Sequence, residues 1–213
     1  MNLETARILT FDLDGTLWDY QRAARAATQT VYNLVQDEFG IEPARLAAVY
    51  AHLVKADQER GFVANQQSRD YRAARFKRLL NSFSIIPTPW FMESLLEIYE
   101  QTLLQHTVPY PGVVQLLRER HARQLKTVII TEGPADAQMR TIDALGIRDL
   151  VDAVFTSAEL GRSKTGGLFQ AVLDRLGLHP GELFYVGDSQ TRDIEPARAA
   201  GISAELHDQG LKL

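Results

Sequence analysis

Short apolar strands that alternate with helix-length segments constrain the fold of this chain most strongly. Each strand candidate runs into polar or glycine residues, as a buried strand does when it enters a turn. The later candidates are separated by helical segments of about 10–12 residues, and strands connected in this way pair in parallel through right-handed crossovers. The sequence therefore predicts an α/β fold on a parallel sheet. The strand candidates are the run that ends at Phe11, Thr127–Ile130, Val151–Phe155, Leu183–Val186 and Ile202–Leu206.

A long segment without strand patterns interrupts this alternation directly after the first strand. Between Trp18 and Val108 the apolar residues recur at helical spacing. This pattern indicates an inserted α-helical cap. We therefore expect a core domain formed by residues 1–17 and 109–213 and a cap formed by residues 18–108. The helix candidates are Gln21–Phe39, Pro43–Gln58, Arg69–Phe83 and Pro89–His106.

Two groups of residues stand out within the predicted cap. Four arginines recur every three residues and drift around a helix, so they either form a solvated face or place one or two guanidinium groups on an anionic substrate. Three aromatic residues, Trp90, Phe91 and Tyr99, are expected in the core of the cap. The arginine series is Arg69, Arg72, Arg75 and Arg78.

Composition narrows the classes of function. The chain has 213 residues, no cysteine and a net charge of −4. These values exclude disulfide scaffolds and zinc–thiolate sites and argue against nucleic acid as a partner. No apolar run approaches the ~20 residues of a membrane helix, and the first residues do not resemble a secretory signal. We expect a cytoplasmic protein without membrane partners, either monomer or homodimer.

Four aspartates follow two of the predicted strands. Asp12 and Asp14 are two residues apart after the first strand, so both side chains point to one side of an extended segment. Asp188 follows the strand that ends at Val186, and Asp193 lies further along the same loop. Ligands of open parallel sheets bind beyond the carboxyl ends of the strands, and paired carboxylates suit Mg²⁺. The pattern therefore predicts a magnesium site.

Two further loops offer groups that bind phosphate. Thr131 supplies a hydroxyl after the second strand, and Lys164 supplies a compact positive charge after the third. Taken singly, each of these polar residues is more typical of a turn, a helix cap or a solvated surface. Together, four strand ends carry the groups that phosphoryl transfer needs, and this agreement favours a common site.

Four short motifs carry a resemblance to a known family. The first is Phe11–Leu17, which reads Phe-Asp-Leu-Asp-Gly-Thr-Leu, and the fourth is Gly187–Asp193; Thr131 and Lys164 match the second and third. In this order the motifs resemble those of the haloacid dehalogenase-like hydrolase superfamily. The resemblance covers essentially the whole chain, because the helical insertion falls where that family has its cap. It implies a Rossmann-like three-layer sandwich with strand order 5-4-1-2-3.

The resemblance also implies a role for each motif residue. Asp12 would be the nucleophile that forms an aspartyl phosphate, and Asp14 would be the general acid and then the general base. Thr131 and Lys164 would hold the phosphate, with Glu132 counted among the residues beside it. Covalent catalysis of this kind divides one difficult hydrolysis into two easier steps.

A magnesium ion belongs to the same implied mechanism. Asp12, Asp188 and the backbone carbonyl of Asp14 would bind Mg²⁺, with Asp193 at or near its shell. A carboxylate that approaches a phosphate dianion is repelled unless cations neutralise the charge. The predicted cofactor is therefore Mg²⁺.

Two positions depart from the family pattern. Glu132 stands where the family often has asparagine, and its charge is unfavourable beside phosphate unless it points away or meets a cationic group. Thr165 replaces a common proline and is followed by Gly166 and Gly167, so we expect a more mobile loop after Lys164.

The predicted function is that of a magnesium-dependent phosphomonoesterase for a small phosphorylated metabolite. A phosphomutase stays open because it would retain both aspartates, and a non-catalytic phosphate-binding module also stays open. A dehalogenase is disfavoured by Asp14, since a halide leaves without a proton. A signalling receiver is disfavoured because the aspartate pair follows the first strand and the chain carries a cap.

Overall fold

A five-stranded parallel sheet forms the centre of the computed structural model, which describes residues 8–60 and 66–207. Its strand order is β3-β2-β1-β4-β5, with every neighbouring pair parallel. Read from the opposite edge of the sheet, this is the predicted order 5-4-1-2-3, so the predicted topology is confirmed. The strands are β1 (Ile8–Phe11), β2 (Lys126–Thr131), β3 (Ala153–Thr156), β4 (Leu183–Gly187) and β5 (Ser203–Leu206).

The register brings the carboxyl ends of the central strands to one edge of the sheet. Phe11, the last residue of β1, pairs with Ile129 of β2 and Val186 of β4. Thr131 and Gly187 then end β2 and β4. The loops that carry the predicted site residues therefore begin side by side, as expected for a site beyond the strand ends.

The described chain divides into two compact units, with boundaries after residues 20 and 106. The first unit contains residues 8–20 and 107–207 and includes the whole sheet. The second is helical and lies within the segment 18–108 that was predicted to form the cap; we call it the cap unit. Its helices are α1 (Tyr20–Phe39), α2 (Pro43–Arg60), α3 (Ser68–Asn81) and α4 (Pro89–Gln105).

Buried aromatic rings form the core of the cap unit. The ring of Phe76 lies 6.1 Å from that of Tyr50 and 5.8 Å from that of Tyr99. Phe91 and Tyr99 are buried as predicted, but Trp90 is 76% exposed, so its predicted core position is wrong. Neighbouring helical residues point about 100° apart, and Trp90 therefore faces away from the side of α4 that Phe91 buries.

The arginine series of α3 links the helices of the cap unit. Each of the four side chains forms an ion pair with a carboxylate on α2 or α4, so the series is not a freely solvated face. Three carboxylates pair with the four guanidinium groups, so every arginine of the series is engaged within the cap unit, which gives the arginines a structural role. The pairs are Arg69–Glu93, Arg72–Glu100, Arg75–Asp57 and Arg78–Asp57.

The shared carboxylate of Asp57 is expected to make the stability of the protein depend on pH. Burial raises the pKa of Asp57, but hydrogen bonds and charges from Arg75 and Arg78 outweigh burial and leave it below its usual value. Because the folded-state pKa is depressed, the stabilisation is present above about pH 4 and is lost as the pH falls through the lower folded value.

We expect Asp57→Asn to lower the free energy of unfolding by about 1–3 kcal/mol at neutral pH, because a charged acceptor of two partly buried hydrogen bonds is lost. The difference from the wild type should shrink as the pH approaches ~3. Urea unfolding of both proteins at several pH values measures it. Asp37→Asn, at an exposed position of α1, is the matched control. A difference that does not change with pH would contradict the ion-pair explanation.

Helices cover both faces of the sheet. On one face, Phe169 packs with Ile130 and Tyr185. Phe11 and Ile129, which alternate with these residues along the strands, are also fully buried, as in parallel sheets covered on both sides. The predicted three-layer sandwich is confirmed. The helices of this unit are α5 (Val113–Ala122), α6 (Ala135–Ala144), α7 (Ser157–Leu160), α8 (Leu168–Leu176) and α9 (Glu195–Ala199).

Within residues 8–60 and 66–207, the structure has no helix that combines the length and the apolar character needed to cross a membrane.

Candidate active site

The loop after β1 holds its two carboxylates in different ways. The Asp12 N–H donates to the Val186 carbonyl at 2.9 Å and so extends the pairing of β1 with β4. Its side chain is 6% exposed. Both Asp14 oxygens accept hydrogen bonds, from Trp18 Nε1 at 2.9 Å and from Gln138 Nε2 at 3.2 Å. Asp14 is therefore oriented independently of Asp12.

Lys164 connects the loops after β1 and β4. Its buried Nζ donates hydrogen bonds to both Asp12 and Asp193. Asp193 is also buried, and its other contacts are with the Tyr185 hydroxyl at 2.7 Å and the Ser189 N–H at 3.0 Å. The structure thus brings together a lysine and two aspartates that are far apart in the sequence.

Asp188 completes a cluster of three carboxylates. Asp12, Asp188 and Asp193 each place one oxygen within 4.8 Å of the others, and Asp188 is the exposed member. Gly15 makes this approach possible. Its φ is +93°, and a Cβ atom at that position would collide with the Asp188 carboxylate. Glycine adopts a positive φ without strain and has no Cβ atom, and these two properties explain the glycine of the first motif.

The carboxylates of the cluster can carry more negative charge than Lys164 neutralises, so an additional positive charge would stabilise them. Burial raises the pKa of Asp12 to about 7; the Lys164 ammonium opposes this shift and the Asp193 carboxylate adds to it. Burial also raises the pKa of Asp14 and of Asp188. Burial lowers the pKa of Lys164, but the carboxylates of Asp12 and Asp193 outweigh burial and raise it. Lys164 therefore stays charged, and the carboxylates outnumber it.

The donor set fits a magnesium ion. Mg²⁺ binds one or two carboxylates and completes its shell with water and phosphate oxygens. Asp12 and the exposed Asp188 can offer such oxygens from neighbouring strands. Asp193 already accepts hydrogen bonds from Lys164, Tyr185 and other groups, so it also serves to fix the lysine. Three of the four predicted metal residues, Asp12, Asp188 and Asp193, are thus close together, while Asp14 is not part of this cluster.

Gln138 joins the end of β2 to the loop after β1. The hydroxyl of Thr131 donates to Gln138 Oε1 at 3.1 Å, while the amide nitrogen of the same side chain donates to Asp14. Thr131 is 1% exposed and Gln138 is 5% exposed. One buried amide therefore fixes a predicted phosphate-binding hydroxyl and a predicted acid–base carboxylate relative to each other.

Glu132 uses both carboxylate oxygens within the protein. Oε1 accepts a hydrogen bond from the Lys164 backbone N–H at 2.8 Å, and Oε2 accepts one from the Arg192 guanidinium. Its side chain is only 14% exposed. The extra negative charge that departs from the family pattern is therefore paired with a cation supplied by the same chain.

Four side chains at this site were not predicted from the sequence. Two of them had a weak signal in the sequence. Gln138 lies four residues before the buried Ile142 on the same side of α6, and a polar residue on a buried helix face needs a partner. A hydroxyl within the apolar run of β4 is a similar signal for Tyr185. The missed residues are Trp18, Gln138, Tyr185 and Arg192.

Comparison with known families shows which family has this arrangement of residues. Residues 6–201 match the family described as haloacid dehalogenase-like hydrolase. The chain belongs to this family. The predicted family and the predicted hydrolase class are thereby confirmed.

Relatives of known name cover most of the chain. It is 27% identical over 198 residues to a glyceraldehyde 3-phosphate phosphatase from Methanopyrus kandleri, with 92% of this chain and 81% of the relative covered. It is 28% identical over 208 residues to a ribulose-1,5-bisphosphate 5-phosphatase from Halopiger xanaduensis, with 95% and 85% covered. A family hydrolase from Bacillus subtilis, whose crystal structure is bound to magnesium, matches with a TM-score of 0.68 and 22% identity; 93% of this chain and 87% of that chain are covered.

Proposed function

We propose that this hydrolase is a magnesium-dependent phosphomonoesterase that acts on a small phosphorylated metabolite through an aspartyl-phosphate intermediate. The observation that carries the proposal is the buried pair of Asp12 and Lys164, with a second carboxylate, Asp14, held separately in the same loop. Both curated relatives described above are named as phosphatases of small phosphorylated compounds, which supports the same chemistry.

In the first half-reaction, an oxygen of Asp12 attacks the phosphorus atom, and the bond from phosphorus to the substrate oxygen breaks. The positive charge of Lys164, held beside Asp12, offsets the repulsion between the carboxylate and the phosphoryl group. The hydroxyl of Thr131 has one proton, which it donates to Gln138 here; by turning away from Gln138 it can donate that hydrogen bond to a phosphoryl oxygen. This step has two products, an acyl phosphate on the Asp12 carboxylate (the aspartyl phosphate) and the free alcohol.

Asp14 carries the proton in both half-reactions. In its acid form it gives a proton to the departing alkoxide, and as a carboxylate it then takes one from the water that attacks phosphorus. The bond between phosphorus and Asp12 breaks, which releases inorganic phosphate and regenerates both aspartates. The raised pKa of Asp14, caused mainly by burial, favours a group that holds a proton, and Trp18 and Gln138 fix its direction.

Asp12 and Asp188, together with the backbone carbonyl of Asp14, would hold Mg²⁺, with Asp193 at or near its shell. When bound, the ion supplies positive charge that neutralises the phosphoryl oxygens. This assignment agrees with the excess of carboxylates in the cluster and with the magnesium of the Bacillus subtilis hydrolase.

We expect Asp188→Asn to raise the magnesium concentration needed for half-maximal activity by at least about 10–100-fold, since this is the effect of losing a group that only orients a metal ligand, and Asp188 would be a ligand itself. Isothermal titration with Mg²⁺ measures the affinity without relying on activity. The control is Asp149→Asn, at an exposed position of the same structural unit. Unchanged magnesium affinity in Asp188→Asn would remove Asp188 from the metal site.

We further propose that the predicted cap, residues 18–108, sets substrate choice without supplying the core chemistry. Support comes from the position of the proposed reacting residues: Asp12, Asp14, Thr131 and Lys164 all belong to the unit that contains the sheet. A closed cap over such a site would exclude water and strengthen its charge contacts.

The proposed function is tested by phosphate release from a panel of phosphorylated metabolites, with Mg²⁺ present and with the ion removed by a chelator. The panel includes glyceraldehyde 3-phosphate and ribulose 1,5-bisphosphate, taken from the named relatives. Release of phosphate that needs Mg²⁺ supports the proposal. Full activity in excess chelator, conversion of a substrate to its isomer, or halide release from a haloacid without phosphatase activity would each contradict it.

A further inference from the structure

The carboxylate of Glu132 connects three loops of the site. Glu132 directly follows β2. Lys164 begins a 3-10 turn (Lys164–Gly166) after β3 and α7, and Arg192 lies in a π-helical turn (Gln190–Ile194) after β4. Oε1 of Glu132 accepts from the Lys164 backbone N–H at 2.8 Å, and Oε2 accepts from Arg192. The three groups are 32 and 60 residues apart in the sequence, so this link exists only in the folded chain.

The Glu132 carboxylate needs both of its hydrogen-bond partners. A carboxylate that is mostly removed from water is costly unless it is paired and hydrogen-bonded. Glu132 has one charged partner and one backbone partner, with its side chain 14% exposed and that of Arg192 55% exposed. Arg192 can therefore hold the carboxylate in one orientation while keeping part of its guanidinium in water.

The backbone of Lys164 needs such support. Its side chain is a flexible four-carbon stem, so the position of its backbone decides where Nζ can reach. Gly166 and Gly167 follow closely, and Gly167 has a φ of +94°, which makes the loop intrinsically adaptable. The hydrogen bond from the Lys164 N–H to Glu132 ties the loop at the residue whose Nζ contacts Asp12.

We infer that Glu132 is a positioning residue that holds the backbone of Lys164 in place for the reaction, and that Arg192 keeps the Glu132 carboxylate in the required orientation. Glu132 itself would then contact no substrate atom. The inference rests on the proposed function, because the position of Lys164 matters through its role beside Asp12 and the phosphoryl group.

The test compares Glu132→Ala, Glu132→Gln, Arg192→Gln and the double variant Glu132→Ala/Arg192→Gln. Steady-state kinetics on p-nitrophenyl phosphate give kcat and KM, and NMR amide exchange reports on the Lys164 N–H. The control is Glu205→Ala, at an exposed position of β5. These measurements separate a shift of Lys164 from a general loss of stability.

For Glu132→Ala we expect kcat to fall by about 10–100-fold, the range for a lost charge-assisted hydrogen bond. KM should change much less, because Lys164 contributes most when charge develops in the transition state. Exchange of the Lys164 amide should accelerate by about tenfold or more as its acceptor is removed. Glu132→Gln keeps an acceptor oxygen for the Lys164 N–H and should restore part of both losses.

Arg192→Gln should lower kcat less than Glu132→Ala, and the double variant should be no slower than Glu132→Ala, because both changes act through one carboxylate. Full additivity in the double variant would overturn the role given to Arg192. If Glu132→Ala does not fold, Arg192→Gln and Glu132→Gln still test the link through kcat and the Lys164 amide.

An unchanged kcat in Glu132→Ala, with or without a lower melting temperature, would overturn the positioning role. Unchanged exchange of the Lys164 amide would do the same. If the wild type releases phosphate from no substrate, the proposed function fails, and the amide measurement still decides whether Glu132 holds Lys164.

Discussion

Asp12→Asn is expected to reduce turnover by at least ~10⁴-fold, the scale seen when an enzyme loses its covalent nucleophile. The neutral amide has no anionic oxygen to attack phosphorus, and it also weakens the contact that holds Lys164 Nζ beside the reacting group. Rapid acid quenching with phosphorus-labelled substrate should trap label on the wild-type peptide that contains Asp12. The variant should trap none.

Folding of Asp12→Asn should be preserved. The substitution keeps the size of the side chain and removes one charge from a cluster in which carboxylates already outnumber Lys164. Circular dichroism and thermal unfolding check this point, and Asp149→Asn, at an exposed position, is the control for an aspartate-to-asparagine change elsewhere. Retained turnover in a folded Asp12→Asn protein would contradict the assignment of Asp12 as the nucleophile.

The strands and the polar residues at their ends were predictable because both depend on local patterns. Each strand is a short apolar run that ends in polar residues, and the right-handed connection rule leaves few ways to order such strands. Once β1 and β4 are neighbours, Asp12 and Asp188 must lie near each other, since both directly follow their strands. Spacing therefore placed these carboxylates together only once the strand order was given, and that order was implied by the family resemblance.

The supporting contacts could not be predicted in this way, because they join positions with no fixed relation along the chain. Gln138 reaches Asp14 across 124 residues, and Arg192 reaches Glu132 across 60. Such pairs depend on the rotation of α6 and on the loop after β4, which no periodic pattern specifies. The period of the arginine series likewise gave a helix face but not its partners on α2 and α4.

Asp14→Asn is expected to lower steady-state turnover by about 10²–10⁴-fold, the usual contribution of a general acid or base. The two half-reactions should respond differently, and the substrate decides which loss is visible. An alkyl phosphate needs a proton on its departing oxygen, so its first step should become slow. The nitrophenolate of p-nitrophenyl phosphate is a stable anion and leaves without a proton, so its first step should stay fast.

With p-nitrophenyl phosphate, Asp14→Asn should therefore release a burst of about one nitrophenolate per active site and then turn over slowly. The aspartyl phosphate accumulates because the attacking water has lost its base, and a burst is the kinetic sign of such an intermediate. Stopped-flow absorbance measures the burst, and Asp12→Asn, which cannot form the intermediate, should show none. Rapid steady-state turnover of both substrates would remove Asp14 from proton transfer. Slow turnover without a burst would instead mean that the substitution disables attack by Asp12. The cause would be a shift of the Gln138 side chain, whose amide contacts both Asp14 and Thr131.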